Sequence, residues 1–541
     1  MTVSPTGVDL ATGRFTYKAT DLSIGPFTLE RSYVGGPAVD GASHFGLNWT
    51  HNYSVFVVEK SQTRTDGVYV VIGRGAVHFT YTSNYGYSCL NPDCGGTTLV
   101  LPGGGGGYVY TDTQGNVYTF NPSVKVLAPG DSRRSQRIAR IDYADGHTLT
   151  YTYSGSQLKQ IASNYGYSLV FEHGASGYIS RACGYNRAVT AVTSASDCSS
   201  AALKVSYGYA PGTWINLTSV TDVMNQVWGY DYVGNSSVSK MTCVRQVNSP
   251  ACLIANNHAA TGGQILQQTT PDGAVWDTYF QSGKDPDYYQ QPGTPPLPYG
   301  GGYVGPEGIS GNATFGAGLV DSVNANGRIT SFSWNGVELE SLAHHEGNSV
   351  TYSRDLRQNV TGETWTPKPG SGLAPVSNGT GYPEPATEFC PTAGRKLCNR
   401  PIWRDDYKGN RTEYSYEAHG GVRTETGPAA VPGGIRPQVR YEYALRRAWV
   451  SNGAGYSPEP DSIYLPSRKA FCATGAASGW GCAIAGDEVV TTYDYGPDSG
   501  PNNLLLRSET VTAGGVSRRT CYGYDWMGNR ISTTRPNGAC Q

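Results

Sequence analysis

The chain has 541 residues, a formal net charge of −2 at pH 7 and a charged fraction of only 15%. A charge this close to zero excludes a strong electrostatic preference for nucleic acid or for an anionic membrane surface. No apolar stretch approaches the length of a transmembrane helix, so no membrane span is predicted. The 71 glycines and 39 tyrosines are typical of a chain with many turns and many half-buried strands.

Strand-like runs occupy nearly the whole sequence, and no stretch sustains an amphipathic helix. Residues 1–130 are predicted to form a β-rich opening domain, with runs such as GRFTYKATDL and NYSVFVVEK. Residues 131–283 and 311–541 are predicted to form β-hairpin repeats. Proline-rich insertions interrupt them at 284–310 and 366–391. Because proline cannot donate to a β-ladder, we expect no central strand in the first insertion. It is either a linker or an ordered segment packed along the sheet surface, and its tyrosines favour the second.

A recurring turn separates the predicted strands. In its clearest copy, the Asp406 carboxylate caps a type I turn, and Gly409 at the fourth position accepts a positive φ. Aromatic residues follow such turns at odd offsets, which places them on one face of the strand. The predicted turn residues are Asp112 and Gly115, Asp222 and Asn225, Asn324 and Gly327, Asp406 and Gly409, and Asp525 and Gly528.

The twelve cysteines are separated by short and long gaps in strict alternation. This pattern favours six local disulfides, and disulfides are typical of extracellular proteins, either secreted or on the cell surface. Zinc binding is the alternative, but only Cys89 and Cys94 approach the spacing of a zinc knuckle. The predicted pairs are Cys89–Cys94, Cys183–Cys198, Cys243–Cys252, Cys390–Cys398, Cys472–Cys482 and Cys521–Cys540.

Three of the predicted repeats resemble the Rhs/YD-repeat family. They are YADGHTLTYTYSGSQLKQI at 143–161, DDYKGNRTEYSYEAHGGVRTETGP at 405–428 and YGYDWMGNRISTTRPNG at 522–538. The stretch VDLATGRFTYKATDLSIGPFTLERSY at 8–33 resembles the segment that opens the repeat region in that family. The family includes bacterial polymorphic-toxin shells, wall-associated proteins and teneurin-like proteins. The resemblance implies a long spiral of antiparallel β-hairpins wound into a hollow shell. Together with the predicted disulfides, this gives an all-β, disulfide-stapled shell that we expect to be open or tubular.

The function that this resemblance implies is structural: a secreted or cell-surface β-shell, such as the carrier part of a polymorphic toxin or an extracellular fibre. Its expected partners are the rest of the same shell and an encapsulated C-terminal domain. The alternatives are a carbohydrate-binding adhesin that holds glycan or its own copies, and an extracellular hydrolase. The hydrolase would need two carboxylates that are distant in sequence.

The closest local cluster of metal-ligand type is His344-His345-Glu346. Adjacent histidines of a strand point to opposite faces, so this pair cannot chelate one metal. Neither a Gly-x-Ser-x-Gly elbow nor a His-Glu-x-x-His motif is present. We therefore predict no enzyme activity, no catalytic residue, no cofactor and no metal.

A sheet with one aromatic face needs a second layer, a partner or its own opposite wall. We expect the repeats to wind in one sense around a lumen and to leave an unpaired final edge near Ile531. Since family-like sequence begins directly after Met1, we also expect the chain to be a segment of a longer, processed protein. The residues predicted to share one face are Tyr230, Phe332, Trp334, Tyr414 and Tyr416.

Overall fold

The fold is all-β, as predicted, and is seen here in a computed structural model. One long antiparallel sheet winds into a shell, and a small N-terminal sheet packs against its inner face. The residues that the structure describes are 2–37, 44–61, 66–82, 86–89, 96–103, 105–126, 133–193, 195–212, 215–233, 238–246, 249, 251–260, 263–281, 299–316, 318–383, 390, 394–475, 481–536, 538 and 540.

The N-terminal sheet is three-stranded and antiparallel, in the order β1-β2-β4. Apolar and aromatic side chains of this sheet, including Phe27, Leu29, Tyr33 and Trp49, are fully buried. We call the described residues 2–37 and 44–54 the plug. Its strands are β1 (Thr16–Ile24), β2 (Phe27–Val34), β3 (Gly36–Pro37) and β4 (Trp49–His51).

The next eight strands form a ring, because the last of them returns to the first. The strands are β5 (Val55–Glu59), β6 (Val68–Ile72), β7 (Gly75–Tyr81), β8 (Gly86–Cys89), β9 (Thr98–Val100), β10 (Val109–Thr111), β11 (Val117–Asn121) and β12 (Ser135–Asp142). The first half of β12 pairs with β5, through Gln136 opposite Val57. Its second half pairs with β13 (Thr148–Ser154), through Ile141 opposite Leu149. Strand β12 therefore closes the ring and also begins the spiral.

The first winding of the spiral continues from β13, each strand antiparallel to its neighbours. Strand β20 leaves this sheet and pairs with β3 of the plug. The strands are β14 (Gln157–Ser163), β15 (Tyr167–His173), β16 (Ile179–Asn186), β17 (Leu203–Tyr209), β18 (Leu217–Thr221), β19 (Val227–Tyr232), β20 (Val238–Ser239), β21 (Met241–Gln246), β22 (Ile254–His258), β23 (Ile265–Thr269), β24 (Val275–Gln281), β25 (Tyr299–Val304), β26 (Ser310–Gly316), β27 (Leu319–Ala325), β28 (Arg328–Asn335), β29 (Glu338–Ala343), β30 (Ser349–Arg354), β31 (Val360–Thr366) and β32 (Val376–Gly381). A single 3₁₀ turn, Pro306–Gly308, stands out among the described residues of this part.

The second winding packs against the turns of the ring and of the first winding. Its strands are β33 (Trp403–Asp405), β34 (Arg411–Tyr416), β35 (Val422–Thr426), β36 (Gln438–Arg446), β37 (Trp449–Ser451), β38 (Tyr456–Pro458), β39 (Ile463–Cys472), β40 (Glu488–Asp494), β41 (Ser508–Ala513), β42 (Val516–Tyr524) and β43 (Arg530–Thr533). Polar contacts that join the windings are Thr113–Asn399, Arg140–Asp461 and Asn186–Asn502. These contacts run in the same order on both windings, so the sheet winds in one sense.

The predicted common aromatic face is confirmed by the strand registers. Residues directly opposite in an antiparallel ladder share a face, so the face can be followed from strand to strand. From Tyr230, opposite Val244, the same face leads to Phe332 and Trp334 and on to Tyr414 and Tyr416. The plug lies on this face, so we call it the inner face.

The final edge also agrees with the sequence-based expectation. Within the described residues, β43 pairs only with β42, and Ile531 is 69% exposed.

Two predicted insertions are partly wrong, because each contains a strand of the main sheet. Strand β25 lies inside 284–310 and pairs with both β24 and β26. It contains no proline, and its central glycine, Gly301, leaves room for the Phe280 ring, which a Cβ at this position would approach within 2.6 Å. Strand β32 lies inside 366–391 and pairs with β31 and β33. The prolines of the first insertion that precede residue 299 lie outside the described residues.

Candidate functional site

The repeated turn has the geometry that the sequence predicts. The backbone N–H of Gly409 donates to the Asp406 carbonyl oxygen at 2.9 Å, and Gly409 has a φ of +77°. The Asp406 carboxylate accepts hydrogen bonds from the backbone N–H of Lys408 and of Asn410. Bonds from the side chain and backbone of Asn410 hold the pKa of Asp406 below its usual value. Equivalent turns, with a left-handed fourth residue, begin at Asp112, Asp222 and Asp525.

The turn predicted at Asn324 is wrong in type. Ala325 pairs directly with Arg328, which leaves only Asn326 and Gly327 in the loop, with φ of +53° and +82°. A two-residue loop with two left-handed residues is a type I′ hairpin turn, and Asn-Gly is its preferred sequence. Asn324 itself lies in the ladder, opposite Ile329. Gly327 has the predicted positive φ, but at the end of a different turn.

Sequence reasoning missed one copy of the Asp turn, at Asp355. Its carboxylate accepts from the backbone N–H of Arg357 and Asn359, as in the other copies. The left-handed position is Gln358, with a φ of +63°, instead of a glycine. The Asp-x-x-x-Asn pattern, which this turn shares with the turn at Asp406, would have been enough to predict it.

A second repeated feature lies on the inner face. The Tyr232 hydroxyl donates a 2.8 Å hydrogen bond to the Leu217 carbonyl oxygen, in the strand before its own. The pairing register between β19 and β21 shifts at this point, because β21 contributes one extra residue opposite Tyr232. The same combination of bulge and hydrogen bond to the preceding part of the chain occurs at Tyr153, Tyr209, Trp334, Tyr416, Tyr443 and Tyr524.

Disulfides fasten the loops to the opposite, outer face. Four bridges each start from a strand residue that neighbours an inner-face residue in sequence, so its own side chain points outward. These strand residues are Cys183, Cys243, Cys472 and Cys521. The bridges formed are Cys183–Cys198, Cys243–Cys252, Cys390–Cys398, Cys472–Cys482 and Cys521–Cys540, the pairs that the alternating gaps predict. The predicted Cys89–Cys94 pair involves Cys94, which lies outside the described residues.

A buried ion pair anchors the plug to the inner face. Arg31 Nε lies 2.7 Å from Asp21 Oδ2, and both side chains are only 2% exposed. The Tyr207 hydroxyl of the shell donates to the same carboxylate at 2.6 Å. Burial, reinforced by the Asp21 charge, raises the pKa of Tyr207 well above its usual value. The Arg31 guanidinium also lies 4.7 Å from the centre of the Trp49 ring, within range of a cation–π contact.

Aromatic packing continues this anchor around the ion pair. The Trp49 ring lies 5.1 Å from the Tyr230 ring, nearly edge to face, and its Nε1 donates to the Tyr232 hydroxyl at 2.9 Å. At the far end of the plug, Leu10 is buried against Ala313 and Phe315 of β26. The plug therefore contacts the inner face over many strands of the first winding.

The structure assembles no group of three His, Cys, Asp or Glu residues that could hold a metal ion in the part of the chain that it describes. His344 stacks on the Trp365 ring, whereas His345 is exposed, so the two histidines point in different directions. No helix among the described residues is long and apolar enough to cross a membrane. The features that stand out are therefore the inner face and the plug that covers part of it. They define a spiral β-shell with an inserted N-terminal sheet.

Comparison with known proteins gives one family match. Residues 6–78 match the family described as "Domain of unknown function (DUF6531)", which covers the plug and the first strands of the ring. No curated protein matches the chain in sequence.

Solved structures match most of this chain, at very low sequence identity and a low TM-score. The crystal structure of TcdB2-TccC3 without its hypervariable C-terminal region is 9% identical, with a TM-score of 0.35, over 96% of this chain and 26% of that chain. The Photorhabdus luminescens Tc holotoxin pore with the mutation TccC3-D651A is also 9% identical, with a TM-score of 0.35, over 96% of this chain and 27% of that chain. This chain therefore spans about a quarter of the length of these solved chains.

Proposed function

We propose that this chain is part of an extracellular carrier shell of the Rhs/YD-repeat type, whose inner face encloses polypeptide. The observation that carries the proposal is the continuity of the inner face, which runs from Tyr87 in β8 to Tyr524 in β42 through paired registers. A single hairpin cannot bury such a face, so the aromatic side chains stabilise the protein only when the sheet curls around something. The DUF6531 match, to a segment of Rhs/YD-type proteins, supports this class.

The second half of the inner face is the region available for an enclosed chain. Over the early strands of the first winding, the plug buries residues such as Tyr230, which is 2% exposed. Further along, Phe332 and Tyr414 are half-buried, while their outward neighbours Ser333 and Ser415 are exposed. A C-terminal domain held inside the shell would cover this remaining aromatic surface.

The turns along the outer edge of the second winding support the presence of a further winding of the shell. The first strands of the spiral bury their turns under the second winding, as at Asn186, which is 2% exposed. The corresponding turns of the second winding carry exposed apolar residues, such as Val431, Ile435 and Val516. Another winding of the same sheet would cover them by repeating the existing contact.

The outward position of the disulfides supports an extracellular location, where such bridges persist. A glycan-binding adhesin would present its aromatic rows outward, whereas the rows found here share the inner face with the plug. Glycan binding is therefore the less favoured function. The described residues do not support the hydrolase alternative. The proposed function is therefore that of a scaffold without catalytic activity.

Cysteine labelling tests enclosure directly. Thr330 and Ser331 are adjacent in β28, the first on the inner face and the second exposed on the outer face. In a Ser331→Cys variant, both a small maleimide and a large polymer-linked maleimide should react quickly. In a Thr330→Cys variant, only the small reagent should react quickly, because the shell excludes the polymer. Equal reaction of both variants with the polymer would reject an enclosing shell.

A further inference from the structure

Three histidines meet where the plug contacts the shell. His44 and His51 belong to the plug, and His173 ends β15 of the shell. The His44 and His51 rings are 5.3 Å apart, and His44 Nε2 lies 2.9 Å from Nη1 of Arg137 in β12. His51 is 1% exposed, between the rings of Phe45 and Phe171.

The imidazoles are buried in a way that leaves ring nitrogens unsatisfied. Both ring nitrogens of His51 and both of His173 are shielded from solvent and have no hydrogen-bond partner. Buried polar atoms are normally hydrogen-bonded, so these unpaired nitrogens cost stability and are exceptions that need an explanation. Because a neutral imidazole costs less to bury than a charged one, this environment selects the neutral form.

The charged groups that act on this cluster are all positive among the described residues. Arg137 and the other two imidazoles act on His44, Arg137 acts on His51, and Lys159 and Arg137 act on His173. Burial is the largest cause in each case. It lowers the pKa of His51 to about 3 and that of His173 to about 4, and it places the pKa of His44 well below its usual value.

We propose that His44, His51 and His173 form an acid-sensitive latch that releases the plug from the inner face of the shell. Protonation would place two or three extra positive charges around Arg137 in a buried site. The plug can leave without breaking any described disulfide, because all five bridges lie in the shell. The latch concerns the plug alone, so it holds whether or not the shell encloses a cargo.

The direction of the pH effect follows from proton uptake. Well above pH 6.5, the ordinary pKa of histidine, the imidazoles are neutral in both the docked and the released plug. As the pH falls below 6.5, the released imidazoles bind protons and the docked ones do not, so release becomes more favourable. Between pH 7.5 and 5.5 each imidazole shifts the equilibrium by about tenfold, and three together by about a thousandfold.

Hydrogen–deuterium exchange at pH 7.5 and 5.5, corrected for the intrinsic exchange rate, tests the latch in the whole chain. We expect protection in β1 and β2 to fall by about a thousandfold at pH 5.5, while protection in β13 and β14 stays nearly constant. Unchanged protection of the plug would overturn the proposal. An equal loss in plug and shell would overturn it too, because it would indicate general acid unfolding.

Glutamine variants assign the effect to these residues. The triple variant His44→Gln, His51→Gln, His173→Gln should keep the plug protected at both pH values. His345→Gln, a change at an exposed histidine, should retain the full acid response. If the triple variant does not fold, the single variant His173→Gln should reduce the loss about tenfold, since one proton-binding site is gone. An unchanged response in the single variant would exclude His173 from the latch.

Discussion

The Tyr416 hydroxyl donates a 2.7 Å hydrogen bond to the carbonyl oxygen of Pro401, fifteen residues earlier in the chain. At Tyr416 the next strand, β35, contributes one extra residue to the ladder. Bulges increase local twist and bend a sheet, so a bulge repeated at equivalent positions curves the whole sheet in one direction. The hydroxyl bond fixes the aromatic ring at the point where this bend occurs.

Removal of this hydroxyl should loosen the second winding locally. In Tyr416→Phe the ring still packs, but the partly buried Pro401 carbonyl loses its partner, which costs about 1 kcal/mol. Native-state hydrogen exchange of β33 and β34 measures the loss. Tyr407→Phe is the matched control, because its hydroxyl donates to Glu363 in a solvent-exposed hydrogen bond, which should contribute little. A similar cost for both variants would show that the Pro401 bond has no special role.

Replacement of Gly409 tests the turn. Gly409 has a φ of +77°, and a β-branched residue resists this region, so Gly409→Val should cost about 1–2 kcal/mol or more. Gly455 is the control, because no atom lies within 4 Å of a Cβ placed there and its φ is not in the left-handed range. Hydrogen exchange in β34 and in β38 compares the two sites. If Gly455→Val proves equally costly, backbone strain is not the cause.

The buried ion pair gives a double-mutant prediction. Asp21→Asn leaves the Arg31 charge buried without its carboxylate, which should cost about 3–5 kcal/mol in plug stability. The double variant Asp21→Asn, Arg31→Met buries no charge and should recover much of this loss. Thermal unfolding monitored at the plug's buried Trp49 provides the readout. Additive losses in the double variant would contradict a direct coupling of the two residues.

Disulfide mapping tests the loop fastenings. Peptide mapping without reduction should recover the five local bridges, and Cys89–Cys94 remains a prediction for the sixth. The double variant Cys472→Ser, Cys482→Ser opens a loop with a sequence separation of 10 and should cost about 2–3 kcal/mol, measured by urea unfolding. A peptide that joined Cys94 to Cys183 would contradict the local pairing.

The sequence predicts the local features of this fold well, because they depend on neighbouring residues. Alternation of polar and aromatic residues places Tyr414 and Tyr416 on one face, and Asp406 with Gly409 defines a turn by its own backbone requirements. Strand β25 was missed because its glycines and the nearby prolines resemble a loop. Its glycines fit only when the Phe280 ring is in place, which is information from another strand.

The long-range contacts could not be predicted from the sequence. Nothing near Gln136 indicates that it pairs with Val57 and closes a ring. The contact between the plug and the shell is equally hard to predict, because Asp21 and Tyr207 are 186 residues apart and meet only after the sheet has curled. The histidine cluster has the same origin: His51 and His173 come from separate elements, and neither has a recognisable motif.

The dual pairing of β12 implies an order of folding. The main sheet adds strands almost entirely to the strand just before in sequence, so each step closes only a short loop. The ring closure between β12 and β5 is the early exception, and it is complete before any later strand is needed. A chain that emerges from its N-terminus can therefore finish a closed base first. The rest of the shell then grows hairpin by hairpin, and its newest strand is always the open edge.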